Sequence, residues 1–146
     1  MTKREELLAL ASRAEREEPS FTLNCDIWLK VRGFSSWKLY PSAPSEWGIA
    51  LDDAGNQYPV HQSEIPDLTG SLDAAVGLVP EGDDVFWRSG HDGEGPDPSL
   101  FKAEVLVCRL KAPANGFVAR AATEPMARCA ASLRARAGME NREPHQ

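Results

Sequence analysis

The sequence FKAEVLVCRL occupies residues 101–110 and has the pattern of a strand in the middle of a sheet. Apolar residues at positions 101, 103, 105 and 107 alternate with charged residues at 102 and 104, which is the two-residue period of a strand. Leu106 and Cys108 are also apolar, so we expect the second half of the strand to be covered on both faces. Residues 113–116, Pro-Ala-Asn-Gly, predict a turn, and residues 117–119 return as the antiparallel partner.

Further short strands are predicted on the N-terminal side of this segment. Residues 37–40 and 47–51 are β-prone, and residues 58–60 follow a polar, glycine-containing connection at 52–56 that is typical of a hairpin loop. Residues 85–87, Val-Phe-Trp, form another β-prone run. Turns as short as these favour antiparallel pairing.

Helices are predicted from caps and apolar periodicity. Thr2 and Glu5 have the spacing of a capping box at the start of a helix that Pro19 ends. A second helix is predicted over residues 24–32, with Asn24 as its cap. Ser71 is expected to cap a third, short helix. The last helix is predicted to begin at Thr123 and to end at Gly138.

The order of these segments predicts an α+β fold, which we expect to be a three-layer sandwich with a mainly antiparallel sheet flanked by helices. Residues 1–138 are assigned to a single domain, and residues 139–146 to a mobile C-terminal tail. No internal repeat interrupts this order.

Composition limits the classes of partner. The chain has 146 residues and a net charge of −6, which argues against nucleic acid or an anionic membrane as the main partner. No apolar run is long enough for a membrane span, and we expect a cytoplasmic location. The three cysteines (Cys25, Cys108 and Cys129) lack metal-binding spacing, and each is interpreted as a buried reduced thiol.

An acidic segment is the first candidate for a binding site. Residues 81–98 contain six acidic residues and one basic residue, Arg88, which gives a local charge of −5. We interpret residues 89–99 as an exposed loop because turn-forming and acidic residues crowd together there. This segment suits a basic partner surface, and its spacing does not fit a calcium-binding loop. The candidate partner-binding acids are Asp83, Asp84, Asp92, Glu94 and Asp97.

Aromatic residues provide the second candidate. Trp37, Tyr40 and Trp47 are expected to lie on short strands and their connection, either in the core or as a partly exposed patch for a protein partner. The alternative is a small nucleotide that stacks on aromatic rings and whose phosphate is held by arginines of the last helix. The residues of that alternative are Tyr58, Trp87, Arg128 and Arg134.

Catalysis has little support in the sequence. His61 and His91 are the internal histidines, and neither Ser63 nor Cys108 lies in a recognised nucleophile motif. No phosphate-binding glycine motif is present. A metal-dependent hydrolase built around His61 and the His91 loop is kept as a third class. We predict no catalytic residue, no metal and no cofactor.

Four segments resemble a known family: residues 6–13 (ELLALASR), 23–27 (LNCDI), 66–82 (PDLTGSLDAAVGLVPEG) and 123–136 (TEPMARCAASLRAR). In order and spacing they resemble the phage ABA-sandwich proteins, a group of small phage and prophage proteins. The resemblance implies a sandwich with helices on both sides of an antiparallel sheet, and it implies no reaction. The residues after the Pro-Glu-Gly turn depart from the family pattern, so no ligand role is transferred to them.

These observations favour a non-enzymatic phage or prophage accessory protein that binds a host or phage protein. Inhibition of a bacterial defence system is one form that such binding takes. The last helix is basic while residues 81–98 are acidic, so self-association into a homo-oligomer is a further expectation.

Overall fold

The first helix begins where the capping box predicts. The computed structural model describes residues 2–38, 47–93, 95, 97–110 and 115–140. Helix α1 spans Lys3–Arg16. The Glu5 N–H donates to Thr2 Oγ1 at 3.1 Å, and Glu5 Oε1 accepts from the Thr2 N–H at 3.0 Å. This reciprocal pair satisfies two amides that a helix start leaves open.

Helix α2 starts earlier than predicted. It spans Phe21–Val31, and its cap is Ser20, whose Oγ accepts from the Leu23 N–H at 3.0 Å. The assignment of Asn24 as the cap is therefore wrong. Asn24 is buried one turn into the helix, where its Oδ1 accepts from the Thr69 N–H at 2.9 Å and its Nδ2 donates to Asp67 at 3.1 Å. Asn24 thus binds the 66–70 turn to α2.

Three strands form the first sheet, in the order β1-β2-β3 and antiparallel throughout. They are β1 Phe34–Lys38, β2 Trp47–Asp52 and β3 Gln57–His61. The predicted hairpin between β2 and β3 is confirmed. The Asp52 carboxylate accepts from the N–H groups of Ala54 and Asn56, and Gly55 adopts φ +85°, which favours glycine.

A short helix connects the two sheets, as predicted. Helix α3 spans Leu72–Ala75, Ser71 Oγ accepts from the Ala74 N–H, and a 3₁₀ turn over residues 76–78 follows. Its buried residues Ala75 and Leu78 face the core.

The second sheet has the order β4-β5-β6 and is also antiparallel. Its strands are β4 Val85–His91, β5 Phe101–Val107 and β6 Gly116–Ala121. The prediction of a central strand after residue 100 is confirmed. The prediction of an exposed loop from Ser89 is wrong in its first part, because β4 continues to His91 in register with β5 and Asp92 is buried.

Helix α4 spans Glu124–Glu140 and is longer than predicted. Gly138 does not end it. A Cβ at Gly138 would lie 2.5 Å from Cζ of Phe117, so glycine at this position lets β6 approach the helix closely. The helix therefore includes Met139 and Glu140, which the sequence assigned to the tail, and residues 141–146 lie outside the described part.

Two cores hold the layers together. The large core lies between the second sheet, α1, α3 and α4, and α2 contributes one face to it. The small core lies between the other face of α2 and the first sheet; its buried members are Cys25, Leu29, Ala50, Val60 and Ile65. The α+β class with antiparallel sheets in a sandwich-like arrangement is confirmed. The strands divide into two sheets, and helices pack on one face of each.

The cysteines differ in exposure. Cys25 and Cys129 are buried, as predicted, and burial raises the pKa of their thiols to about 11 and about 12. The same prediction is wrong for Cys108, which is exposed because it follows the end of β5 on the side that points away from the large core. Among the described residues, no helix combines the length and apolar character needed to cross a membrane.

Candidate protein-binding surface

One face of the second sheet is exposed, and we call it the outer face. The register places Phe86 beside Leu106, and Glu104 between Arg88 and Val118, all pointing away from the large core. Phe86 is 57% exposed, and Leu106 and Val118 are each 39% exposed. Neighbouring apolar side chains on a solvent-facing sheet surface are typical of a protein-binding site.

Charged side chains surround these apolar residues. Glu104 accepts from Arg88 Nε at 2.9 Å and lies 3.1 Å from Lys102 Nζ, and these two hydrogen bonds lower the pKa of Glu104. A shallow cleft of about 250 Å³ lies beside this group and is lined by Phe86, Trp87, Arg88, Glu104 and Leu106. An apolar centre with a charged margin matches the anatomy of protein interfaces.

Arginines from outside the acidic segment neutralise two of its acids. Asp84 accepts from Arg109 Nη2 at 2.7 Å and Nε at 2.8 Å, and these bonds hold its pKa below the usual value. Asp92 is buried and accepts from Arg120 Nε at 2.5 Å. Both carboxylates stabilise turns at the ends of β4, so neither is presented as a free charge to a partner.

The remaining acids of this segment are placed differently. Asp83 and Asp97 are exposed at opposite ends of β4. Asp97 accepts from the N–H and the hydroxyl of Ser99, and these bonds lower its pKa. Glu94 lies outside the described residues. The −5 counted from the sequence therefore overstates the charge that a partner would meet.

The aromatic residues predicted as one patch lie on two faces of the first sheet. Trp37 points to the small core, where its Nε1 donates to Asp26 at 3.0 Å. Trp47 lies in β2 on the opposite face, 54% exposed, with its ring 4.9 Å from that of His61. Tyr40 lies outside the described residues. The structure thus separates Trp37 from Trp47.

Trp87 and Arg128 are in direct contact. The Arg128 guanidinium lies 3.8 Å from the centre of the Trp87 ring, and it also bonds to Ser89 Oγ. Its side chain is only 5% exposed, its Nε has no hydrogen-bond partner within the described part of the chain, and burial lowers its pKa. Ser89 Oγ donates to Glu124 at 2.6 Å. Arg128 thus ties α4 to β4.

The other members of the proposed nucleotide set lie elsewhere. Tyr58 is in the first sheet, where its hydroxyl lies 3.2 Å from Asp52. Arg134 is on α4, where its guanidinium binds both oxygens of Glu15 on α1. The structure brings together Trp87 and Arg128, and does not bring Tyr58 or Arg134 to them.

The two internal histidines are in different sheets. His61 ends β3 and His91 ends β4. His61 Nδ1 accepts from the Ser63 N–H at 3.1 Å and lies 2.6 Å from Ser63 Oγ, which is the geometry of a cap on the 3₁₀ turn at 62–64. His91 stacks on Phe101 at 4.3 Å. Within the described residues, no three His, Cys, Asp or Glu side chains are grouped so as to hold a metal ion.

The outer face is not among the sites predicted from the sequence. The signal was present: Phe86, Leu106 and Val118 occupy the positions of their strands that alternate with core positions. This signal was not recognised because apolar residues at consecutive positions of a central strand predict that both faces of the sheet are packed against other elements. No family model, curated protein or solved structure matches this chain. The resemblance to phage ABA-sandwich proteins therefore stays a prediction.

Proposed function

We propose that this chain is a non-enzymatic phage or prophage accessory protein that binds a protein of the phage or of its bacterial host through the outer face. The phage setting rests on the family resemblance, and one observation carries the choice of surface: Phe86 and Leu106 are cross-strand neighbours, both exposed, on a sheet surface over which no described helix packs. Burying such a pair in a partner would be favourable, because apolar area leaves water.

The partner is expected to offer an apolar patch bordered by basic residues. Asp83 is exposed at the Phe86 end of β4, and Asp97 is exposed at the other end. Between these ends, Glu104 forms ion pairs with Arg88 and Lys102. These side chains would therefore orient a bound partner more than they would attract it by net charge. Inhibition of a bacterial defence protein is one role of this kind.

The alternative proposal, small-nucleotide binding, rests on the contact between Trp87 and Arg128. Arg128 covers one face of the Trp87 ring and already binds Ser89, so a phosphate would have to displace these contacts. The outer face is the better-supported site.

Affinity capture from a lysate of phage-infected bacteria tests the proposal. The double variant Phe86→Ser/Leu106→Ser removes the apolar centre, and Ile49→Ser is the control because the exposure of Ile49, on the first sheet, lies between those of Phe86 and Leu106. We expect a protein that is retained at physiological salt by the wild type and by the control, and is lost with the double variant. The absence of any retained protein, or equal retention by all three chains, would contradict the proposal.

Asp83→Asn and Asp97→Asn test the contribution of charge. We expect each to weaken the captured complex mainly at low salt, because exposed charges are screened as ionic strength rises. Asp92→Asn is unsuitable for this test, since it breaks a buried ion pair with Arg120.

A further inference from the structure

The free edge of β4 has unpaired backbone groups at known positions. The Cys108 N–H donates to the Asp84 carbonyl at 2.9 Å, and the Asp92 N–H donates to the Leu100 carbonyl at 3.0 Å. Between them the register with β5 is unbroken, so even-numbered residues of β4 direct their N–H and C=O groups to β5. Trp87 and Ser89 therefore direct theirs to the free edge, where the described residues provide no backbone partner.

The opposite edge of the same sheet is closed by side chains. On β6 the Arg120 N–H donates to Glu15 Oε2 at 3.1 Å, and the Val118 carbonyl accepts from Arg134 Nη1 at 2.9 Å. Glu15 and Arg134 also bind one another, so the edge that β6 would offer to another strand is occupied from within the chain. Covering an edge in this way prevents pairing between molecules.

The edges of the first sheet are protected by other means. Strand β1 has an irregular register between Phe34 and Ser36, which interrupts a straight row of donors and acceptors. Strand β3 contains Pro59, which has no N–H to donate. Of the four strand edges in the described part of the chain, β4 is the one that has no such feature and is seven residues long.

We propose that a second copy of this chain pairs with the β4 edge, antiparallel and about a two-fold axis at Trp87. The residue pattern of β4 favours this occupant, because a two-fold axis at Trp87 places side chains that attract one another at opposite positions of the two copies. The same register sets Phe86 opposite Arg88 on the outer face and the two Trp87 side chains opposite one another.

This pairing joins two three-stranded sheets into one continuous sheet of six strands. Each Trp87 N–H donates to the Trp87 carbonyl of the other copy, and each Ser89 N–H donates to the Val85 carbonyl. The Val85 N–H remains bound to the Gly82 carbonyl at 3.2 Å. The backbone bonds of this interface lie along the edge of the sheet, so the pairing does not depend on the proposed function.

Sedimentation velocity on the full chain, from about 1 µM to about 1 mM, measures the dimer dissociation constant. Ser89→Pro removes an edge-facing N–H without removing a bond to β5, and we expect it to raise that constant at least about tenfold. Ser89→Ala is the matched control: it loses the hydroxyl contacts with Arg128 and Glu124 but keeps the N–H, and should change the constant by less than about threefold.

Amide hydrogen exchange on the wild type provides a second measurement that needs no variant. The Trp87 and Ser89 amides should exchange more slowly as concentration rises, while the Arg120 amide on the closed edge should not change. A chain that stays monomeric at the highest concentration overturns the proposal. So does a dimer that Ser89→Pro leaves intact, or one that Ser89→Pro and Ser89→Ala weaken equally. A monomer that still retains its captured protein would overturn the dimer and leave the proposed function standing.

Discussion

The two sheets of this protein rest on helices in different ways. The second sheet packs on α4, which crosses all three of its strands, and α1 packs in turn on α4 with fully buried residues such as Leu7 and Leu133. In the described part of the chain, the first sheet packs mainly on α2, through the small core and its five buried residues. Buried apolar area provides most of the stabilisation of a fold. We therefore expect the second sheet to be the more stable part and the first sheet to unfold locally more often.

The largest effect is expected when a buried side chain is truncated in each core and the changes in the free energy of unfolding are compared. Leu133→Ala removes a fully buried side chain from the large core and should lower the free energy of unfolding by about 2–5 kcal/mol. Leu29→Ala removes the same side-chain volume from the small core, and should cost less than Leu133→Ala because fewer buried residues surround it. Urea unfolding followed by tryptophan fluorescence measures both. Equal costs would contradict the comparison.

An intermediate effect is expected at Glu15, which joins α1, α4 and β6. Glu15→Ala leaves the Arg120 N–H without its acceptor and Arg134 with the Val118 carbonyl as its remaining described acceptor, and should cost about 1–3 kcal/mol. Glu17→Ala is the control, because Glu17 forms an exposed ion pair with Arg13 within α1 and should cost less than about 1 kcal/mol. Thermal and urea unfolding at pH 7 would compare the two variants.

The Glu15 contribution should also depend on pH in a definite direction. Burial alone would raise the pKa of Glu15, but hydrogen bonds from Arg134 and the Arg120 N–H outweigh it, so the folded pKa is below the usual value. The stabilisation is therefore present above the unfolded pKa of about 4.3 and is lost as pH falls through the folded pKa. The difference between wild type and Glu15→Ala should shrink between about pH 5 and pH 3. A constant difference would contradict this assignment.

The smallest effect is expected in the first sheet. Trp37→Phe keeps most of the ring in the small core but removes the Nε1 hydrogen bond to Asp26, at a cost of about 0.5–1.5 kcal/mol. Amide exchange should accelerate in β2 and β3 and stay unchanged in β5. Uniform acceleration in both sheets would show that they open as one unit.

Local chemistry made much of the fold predictable. Thr2, Ser71 and Thr123 mark helix starts through contacts within three residues, and the turn at 52–56 is built by contacts among its own residues, chiefly at Asp52. The cap predicted at Asn24 is wrong because the same side chain that caps a helix also binds a distant turn, and its partners Asp67 and Thr69 are more than forty residues away.

The candidate site was harder to predict. Acidic residues near β4 were correctly recognised as concentrated in sequence, but Arg109 and Arg120, which neutralise Asp84 and Asp92, come from other strands and turns. The outer face depends on which side of β5 the helices cover, and that choice is made by packing of α4 rather than by the strand's own residues.

The sequence by itself determined the α+β class, the helix caps at Thr2, Ser71 and Thr123, the hairpin and the central strand, because those features arise from contacts between near neighbours and from the period of apolar residues. Only the tertiary structure decided that the strands divide into two sheets, that Cys108 and Leu106 are exposed, and that β6 is closed while β4 is open. These outcomes depend on pairs such as Glu15 and Arg134, which lie 119 residues apart and meet only when α1 and α4 pack together.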